Sequence, residues 1–138
     1  MIVGFTGTRY GLDLQQRTMM ANLLLAFMRG ENANAHQLHH GDCIGADAEA
    51  HKLSREHLFH VVIHPPTDNK SRAYCKDYAA IRAPMHYLDR NEEIVKECDM
   101  LIAAPFQNKE VIRSGTWATI RKAALLGKPT IILPRLRD

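Results

Sequence analysis

The chain has 138 residues, of which 46% are hydrophobic and 24% are charged, and its formal net charge is +3. This length suits one domain with a single core, spanning residues 1–138, and the composition excludes a disordered chain. The eighteen basic residues are spread along the sequence, so the charge permits an acidic partner without requiring one.

The three cysteines and the N-terminus bear on the protein's setting. Cys43, Cys75 and Cys98 are too few and too widely spaced for a disulfide framework or for paired zinc knuckles. The N-terminus does not read as a signal peptide, and no uncharged apolar run approaches the roughly 20 residues that cross a bilayer. We therefore expect a cytoplasmic protein without membrane contact.

Short apolar segments alternate with helical patterns along the chain. Strands are predicted over residues 2–5, 37–40, 59–64, 99–104 and 130–133. Helices are predicted over residues 13–29, where Asp13 can cap the first turn, and then over 46–57, 70–81, 89 or 91 to 97, and 115–126. A polar connection is predicted at 31–35. This alternation predicts an α/β fold, a single Rossmann-like domain of about five mostly parallel strands with helices on both faces.

Three loops carry the residues that suggest a ligand site. Open parallel sheets bind ligands beyond the carboxyl ends of their strands, where the strand order reverses. The loops that follow the first, second and fourth predicted strands all reach that edge. In chain order they supply Gly7, Thr8 and Arg9; Gly41, Asp42, Gly45 and Asp47; and Arg113, Ser114, Gly115 and Thr116.

The last of these loops precedes a predicted helix. Free backbone N–H groups at a helix start attract an anion, Gly115 permits close approach, and Arg113 adds a guanidinium, so a phosphate is the expected guest. The alternative is that Ser114 or Thr116 is an ordinary helix cap. Gly7, Thr8 and Arg9 are likewise compatible with phosphate or ribose binding or with a plain turn. The sequence has neither a G-x-G-x-x-G nor a G-x-x-x-x-G-K-[ST] motif, which disfavours ordinary dinucleotide dehydrogenases and P-loop NTPases.

The second loop is acidic rather than basic. Asp42 and Asp47 would repel a phosphate, and they suit ribose hydroxyls or a divalent cation that accompanies a nucleotide. Asp47 and His51 are four residues apart and share a helix face, which makes them weak metal candidates; surface hydrogen bonds are the more common role of such pairs. Cys43 lies near a helix start, where its thiol pKa could be lowered. His39 and His40 must point to opposite faces of a strand.

Taken in order, these motifs resemble a known family. They are Gly7-Thr8-Arg9, the run from His40 to Asp47, Arg90-Asn91 before the run from Cys98 to Ala103, and the run from Ser114 to Trp117. The set resembles the SLOG superfamily, which groups the DNA-processing protein DprA/Smf with the Lonely-guy phosphoribohydrolases, and within it the small YspA/YpsA-related branch. The resemblance implies a Rossmann-like fold that binds nucleotides or nucleotide-derived molecules, with phosphate at the Gly-Thr helix start.

The sequence departs from the hydrolases of that superfamily at one informative position. Their P-G-G-x-G-T-x-x-E pattern ends in an acidic residue, and Thr119 stands there in this chain. Threonine cannot act as that acid or base, so glycosidic chemistry would need another carboxylate. Asp42, Asp47 and Glu110 are the candidates, and their alternative roles are a helix cap, a ribose-binding group and a solvated loop charge.

The sequence therefore supports one leading function and two alternatives. The leading function is the binding or sensing of a nucleotide-derived small molecule, with Trp117 or Phe106 near the base and no required cofactor. The first alternative is a nucleotide N-glycosidase or a related transferase. Nucleic-acid binding is the weakest, because the chain lacks a basic helix with interleaved aromatic residues. A homodimer is expected only from the resemblance.

Overall fold

The computed structural model describes residues 1–30 and 35–136, so residues 31–34 of the predicted polar connection lie outside the described part. The strands are β1 (Ile2–Gly7), β2 (Gln37–His40), β3 (His60–Ile63), β4 (Ala80–Ile81), β5 (Met100–Ala104) and β6 (Thr130–Ile132). The helices are α1 (Leu14–Met28), α2 (Ala46–Glu56), α3 (Tyr87–Glu97) and α4 (Gly115–Leu125). No helix in the described ranges is both long and apolar enough to span a membrane.

All strand pairs in the sheet are parallel, and the order is β4-β3-β2-β1-β5-β6. Helices α1 and α2 contact each other, as do α3 and α4, and the two pairs cover opposite faces of the sheet. Phe5, Leu38 and Ile102 belong to the larger core, whereas Leu101 packs with Val95 and Ala123 in a second cluster. The predicted Rossmann-like α/β fold is confirmed, with six strands rather than five.

A local signal accounts for the start of helix α1. Asp13 accepts a hydrogen bond from the N–H of Gln16 at 2.8 Å, and the Gln16 side chain accepts from the N–H of Asp13 at 3.1 Å. This reciprocal capping box satisfies two N–H groups that the helix leaves unpaired. The predicted Asp13 cap is therefore confirmed.

The helix predicted over residues 70–81 is wrong. This segment gives its backbone N–H groups to distant partners instead: Ala73 donates to the Asp42 carbonyl at 2.8 Å, and Ala79 donates to the Val61 carbonyl at 2.7 Å. Tyr74 and Asp77 adopt φ angles of 55° and 59°, which a right-handed helix does not allow. Tertiary pairing overrides local propensity here, and the segment ends in the short edge strand β4.

Strand β1 lies at the centre of the sheet, with β2 on one side and β5 on the other. The chain leaves β1 for α1 on one face and leaves β5 for α4 on the other face. The loops at the carboxyl ends of these two neighbouring strands therefore diverge and leave a crevice between them, the position where sheets of this type bind ligands.

Candidate functional site

A cavity of about 660 Å³ opens at the carboxyl ends of β1 and β5. Its volume lies within the range of small-molecule sites in proteins. Nine of the eleven ligand residues predicted from the sequence line it: Gly7, Thr8, Arg9, Gly41, Asp47, Arg113, Ser114, Gly115 and Thr116. The three loops thus meet at one place, which the linear sequence could only suggest.

The loop of residues 113–116, here the anion loop, forms the start of α4. Ser114 is the N-cap, and its hydroxyl oxygen accepts the N–H of Trp117 at 3.2 Å. Gly115 and Thr116 precede the first intrahelical bonds, so their N–H groups remain for a guest. A Cβ built on Gly115 meets no other atom within 4 Å. This glycine therefore borders open space, and the chain's own packing does not require it.

The loop of residues 41–47, here the acidic loop, is filled by its own chain. Asp42 is fully buried; its Oδ2 lies 2.8 Å from Nε of Arg72, and its Oδ1 accepts the N–H of Cys75 at 2.8 Å. Gly45 has a φ of 85°, and a Cβ there would collide with the backbone carbonyl of Arg9. Asp42 and Gly45, the two predicted ligand residues outside the cavity lining, shape the loop.

Arg90 is a site residue that the sequence indicated only through the family resemblance. It lies on α3 and is 5% exposed, and its Nη1 donates to the carbonyl oxygens of Gly41 and His64. Its Nε donates to the side chain of Asn91 at 2.7 Å. Arg90 also lines the cavity, where its positive charge faces the acidic loop. A single arginine on an amphipathic helix gives no sequence signal of this inward orientation.

Asp47 is the carboxylate of the acidic loop that lines the cavity. Its Oδ2 lies 3.2 Å from the N–H groups of both Gly41 and Cys43, and it accepts from each. Its Oδ1 is buried and has no hydrogen-bond partner among the described residues. Burial raises the pKa of Asp47 to about 6, against the opposing effect of the Arg90 charge. A buried acceptor without a partner is costly, so the chain's own hydrogen bonds do not fully account for this carboxylate in the cavity wall.

The other carboxylate candidates do not face the cavity. Glu110 is exposed and forms an ion pair with Arg121 at 2.8 Å. Thr119, which the resemblance aligns with the hydrolases' acidic residue, is buried and donates its hydroxyl to the carbonyl of Gly115 at 2.9 Å. The exposed carboxylate of Asp68 lines the cavity instead. Sequence reasoning missed Asp68 because this residue follows β3, and ligand residues were expected only after the first, second and fourth predicted strands.

Aromatic side chains stand at the mouth of the site. Tyr10 and Phe106 are exposed, and their ring centroids are 5.1 Å apart. Both line the cavity, whereas Trp117 is buried and donates its indole N–H to the carbonyl of Gln107 at 3.2 Å. Of the two rings considered for a base contact, Phe106 is the one in position. A guanidinium accompanies each ring, that of Arg9 at 5.1 Å from the Tyr10 centroid and that of Arg135 at 4.7 Å from the Phe106 centroid, so the mouth combines aromatic and positively charged groups.

Two other expectations concern the acidic loop and helix α2. Asp47 and His51, the weak metal candidates, do not share one site. Asp47 lines the cavity, whereas Nδ1 of His51 is hydrogen-bonded to Nε2 of His40 at 2.9 Å. The expected lowering of the Cys43 pKa is wrong, because burial and the Asp47 charge raise it to about 11. The Cys43 thiol is therefore neutral and a poor nucleophile near pH 7.

Comparison with known proteins confirms the fold. No protein-family model matches this chain, and no curated protein matches it significantly. The solved X-ray structure of TM1055 superposes with a TM-score of 0.60 and 18% identity, over 94% of this chain and 71% of that one. A molybdenum cofactor binding protein from Rippkaea orientalis superposes with a TM-score of 0.69 and 19% identity, over 95% of this chain and 74% of that one.

A third similar structure is the molybdenum cofactor carrier protein of Chlamydomonas reinhardtii, with a TM-score of 0.65 and 17% identity, over 95% of this chain and 74% of that one. At such identities the likeness concerns the fold, and all three structures share the Rossmann-like α/β architecture with this chain. The narrower resemblance to the YspA/YpsA branch stays a prediction.

Proposed function

We propose that the cavity binds a phosphorylated small molecule, specifically a nucleotide or a nucleotide-derived ligand. The observation that carries the proposal is the meeting of the anion loop and Asp47, a carboxylate with one oxygen that lacks a hydrogen-bond partner among the described residues, in the lining of one cavity of about 660 Å³. The first group suits a phosphate, and the second suits a hydroxyl donor. Nucleotides carry both groups on one molecule.

The charge distribution supports this orientation of the ligand. Arg9 and Arg113 stand on the two loops on either side of the β1–β5 crevice, so a phosphate at the anion loop would find guanidinium groups nearby. Asp47 lies where the acidic loop enters α2, and beside its carboxylate a sugar hydroxyl is a better guest than a phosphate. The Tyr10 and Phe106 rings at the mouth offer a surface for a base. The names of two structural neighbours, which refer to a molybdenum cofactor, support a small-molecule ligand in general terms.

The experiment is a thermal-shift series on the purified protein. Nucleoside monophosphates, dinucleotides and cyclic nucleotides are compared with inorganic phosphate and with unphosphorylated nucleosides. A ligand at a hundred times its dissociation constant should add about 2.7 kcal/mol to the stability of the folded state. An increase in melting temperature that is larger with a nucleotide than with inorganic phosphate or with the unphosphorylated nucleoside supports the proposal. The absence of a shift with every nucleotide contradicts it.

A second candidate function is nucleotide N-glycosidase activity, and Asp47 is the observation that favours it. A carboxylate with a raised pKa beside a ligand cavity can exchange a proton or stabilise a developing positive charge. Of the carboxylates predicted as catalytic candidates, only Asp47 lines the cavity. Chromatography of nucleotides after incubation should then show free base and sugar phosphate, and Asp47→Asn should abolish both products while nucleotide binding stays measurable. Intact nucleotide after prolonged incubation leaves binding as the function.

A further inference from the structure

A second cluster of chemically active side chains lies on the α3 face of the sheet, away from the cavity lining. His39 of β2, His64 directly after β3 and Glu97 at the end of α3 bring three ligand-type atoms within 4.8 Å of one another. Nδ1 of His39 is 2.9 Å from Nε2 of His64, which is 3.5 Å from Oε2 of Glu97. Three separate elements therefore converge on one point.

These distances suit a metal ion with short bonds. Zinc binds histidine nitrogen at about 2.0–2.1 Å and carboxylate oxygen at about 2.0–2.2 Å, so the ligand atoms of a tetrahedral site lie roughly 3.3–3.5 Å apart. The observed separations are 2.9 Å between the two histidine nitrogens and 3.5 Å between His64 and Glu97, and the third pair of atoms lies within 4.8 Å. Small side-chain rotations would complete the geometry.

The cluster is buried, and one of its acceptor atoms lacks a hydrogen-bond partner in the described part of the chain. His39 and His64 are 1% and 2% exposed, and Oε2 of Glu97 is buried without a hydrogen-bond partner among the described residues. The other oxygen of Glu97 accepts from Arg82 at 2.7 Å, which fixes the carboxylate. Burial lowers the pKa of both histidines to about 4, so near pH 7 they are neutral, the form that binds metals.

The proton positions are also compatible with a metal. Nε2 of His39 lies 2.9 Å from the side-chain oxygen of Gln37 and donates to it, which leaves a lone pair on Nδ1 facing the cluster. A ligating histidine characteristically donates its other N–H to such an acceptor. Without an ion, Nε2 of His64 donates its proton to Nδ1 of His39 at 2.9 Å. An ion would replace this hydrogen bond, and His64 would then carry its proton on Nδ1.

A second histidine cluster provides the contrast. His40, His51 and Cys75 also lie within metal-binding distance of one another, on the α2 face. However, Nδ1 of His40 accepts the N–H of Asp42 at 2.9 Å, so a neutral His40 keeps its proton on Nε2 and donates it to His51. Nε2 of His51 in turn donates to the carbonyl of Lys76. All four ring nitrogens of His40 and His51 therefore have hydrogen-bond partners, whereas the first cluster keeps Oε2 of Glu97 without one among the described residues.

We propose that His39, His64 and Glu97 form a binding site for one divalent transition-metal ion of the zinc class, distinct from the ligand cavity. Two imidazoles and one carboxylate are a donor set that suits Zn²⁺, and a water would complete four-coordination. The ion would tie β2, β3 and α3 together. It would also fix the segment after β3 that leads to Pro66 in the cavity wall.

The test is a Co²⁺ and Zn²⁺ titration of the metal-stripped full chain. Co²⁺ in a tetrahedral site absorbs visible light strongly, and a thiolate ligand adds a charge-transfer band in the near ultraviolet. We expect one equivalent of Co²⁺ with the visible bands and without the thiolate band, and a higher melting temperature with Zn²⁺. The absence of binding, or a thiolate band that disappears in Cys75→Ser, would overturn the proposal.

Variants separate ligation from general damage. Glu97→Gln preserves the shape of a partly exposed side chain, and it should weaken Co²⁺ binding at least about tenfold. Glu92→Gln on the same helix is the matched control, because Glu92 pairs with Lys96 and Lys122 instead. His64→Gln provides a second ligand variant, and circular dichroism verifies that each variant is folded. Unchanged affinity in a folded Glu97→Gln or His64→Gln protein contradicts the assignment.

Discussion

The acidic loop and the anion loop look alike in the sequence, yet the structure uses them differently. Both combine glycines with polar residues at the carboxyl edge of the sheet. In the acidic loop the chain's own groups take up the available contacts. The Arg72 side chain pairs with the Asp42 carboxylate, and the Arg9 backbone packs against Gly45. In the anion loop the space beside Gly115 is open. A glycine can therefore serve the fold at one loop and a ligand at the other.

The largest expected effect is that of Gly45→Ala in the acidic loop. The new Cβ would collide with the Arg9 carbonyl at a φ of 85°, so the free energy of unfolding should fall by about 3 kcal/mol or more. Urea denaturation measures this change. A variant as stable as the wild-type protein would contradict the close packing of Gly45 against the Arg9 backbone.

The second effect concerns the buried carboxylate of Asp42. Asp42→Asn removes the charge that faces Arg72 while keeping an acceptor for Cys75, and we expect a loss of roughly 2–3 kcal/mol. Glu110→Gln is the matched control, because its exposed pair with Arg121 should contribute less than about 1 kcal/mol. Equal losses from the two variants in urea denaturation would contradict the structural role given to Asp42.

Asp47→Asn should increase the free energy of unfolding, unlike the two substitutions above, because the Asp47 carboxylate is buried at a cost to its ionised form. Its pKa is raised from 3.8 to about 6, so the ionised form weakens the fold above pH 6, and this cost disappears as the pH falls toward 4. The asparagine oxygen can still accept from Gly41 and Cys43. We expect a gain of roughly 1–3 kcal/mol at pH 7.5 that shrinks toward zero at pH 4.

The control for Asp47→Asn is Asp68→Asn, at the exposed carboxylate of the same cavity, which should change stability by less than about 0.5 kcal/mol. Urea denaturation at several pH values gives both results. A destabilised Asp47→Asn protein at pH 7.5 would show that this carboxylate serves the fold rather than a ligand.

The smallest effect on stability is expected at Gly115, and there the ligand should respond instead. Gly115→Ala should raise the free energy of unfolding by up to about 1 kcal/mol, because alanine favours a helix and meets no neighbouring atom. The added methyl group should nevertheless weaken nucleotide binding at least about tenfold, since it occupies the space before the helix start.

Gly127→Ala provides the comparison for Gly115→Ala, and calorimetric titration measures binding to both. Gly127 also borders open space, but it has a φ of 70° and lies outside the cavity lining. Its substitution should cost about 1 kcal/mol and leave nucleotide affinity unchanged. If Gly115→Ala binds the nucleotide as tightly as the wild-type protein does, the ligand does not bind at the anion loop.

Much of this arrangement follows from sequence patterns, and particular contacts explain the remainder. Apolar runs and the Asp13 cap predict most strands and helices, because these depend on periodicity and on neighbours in the chain. The segment of residues 70–81 is different, since its hydrogen bonds go to Asp42 and Val61, far away in the sequence. The topological rule places the three loops together. It does not reveal that Arg90 reaches the acidic loop from α3, or that His39 and His64 meet across two strands.

The most direct test of the central claim is the mapping of backbone amide chemical shifts by NMR during titration with a nucleoside monophosphate. The open anion loop should respond, so the amides of Gly115 and Thr116 should shift most, together with those of Gly7 and Thr8. The amides of Asp42 and Gly45 should move little, because their surroundings belong to the chain itself. Saturable shifts centred on Asp42 and Gly45, with Gly115 and Thr116 unchanged, would contradict the account.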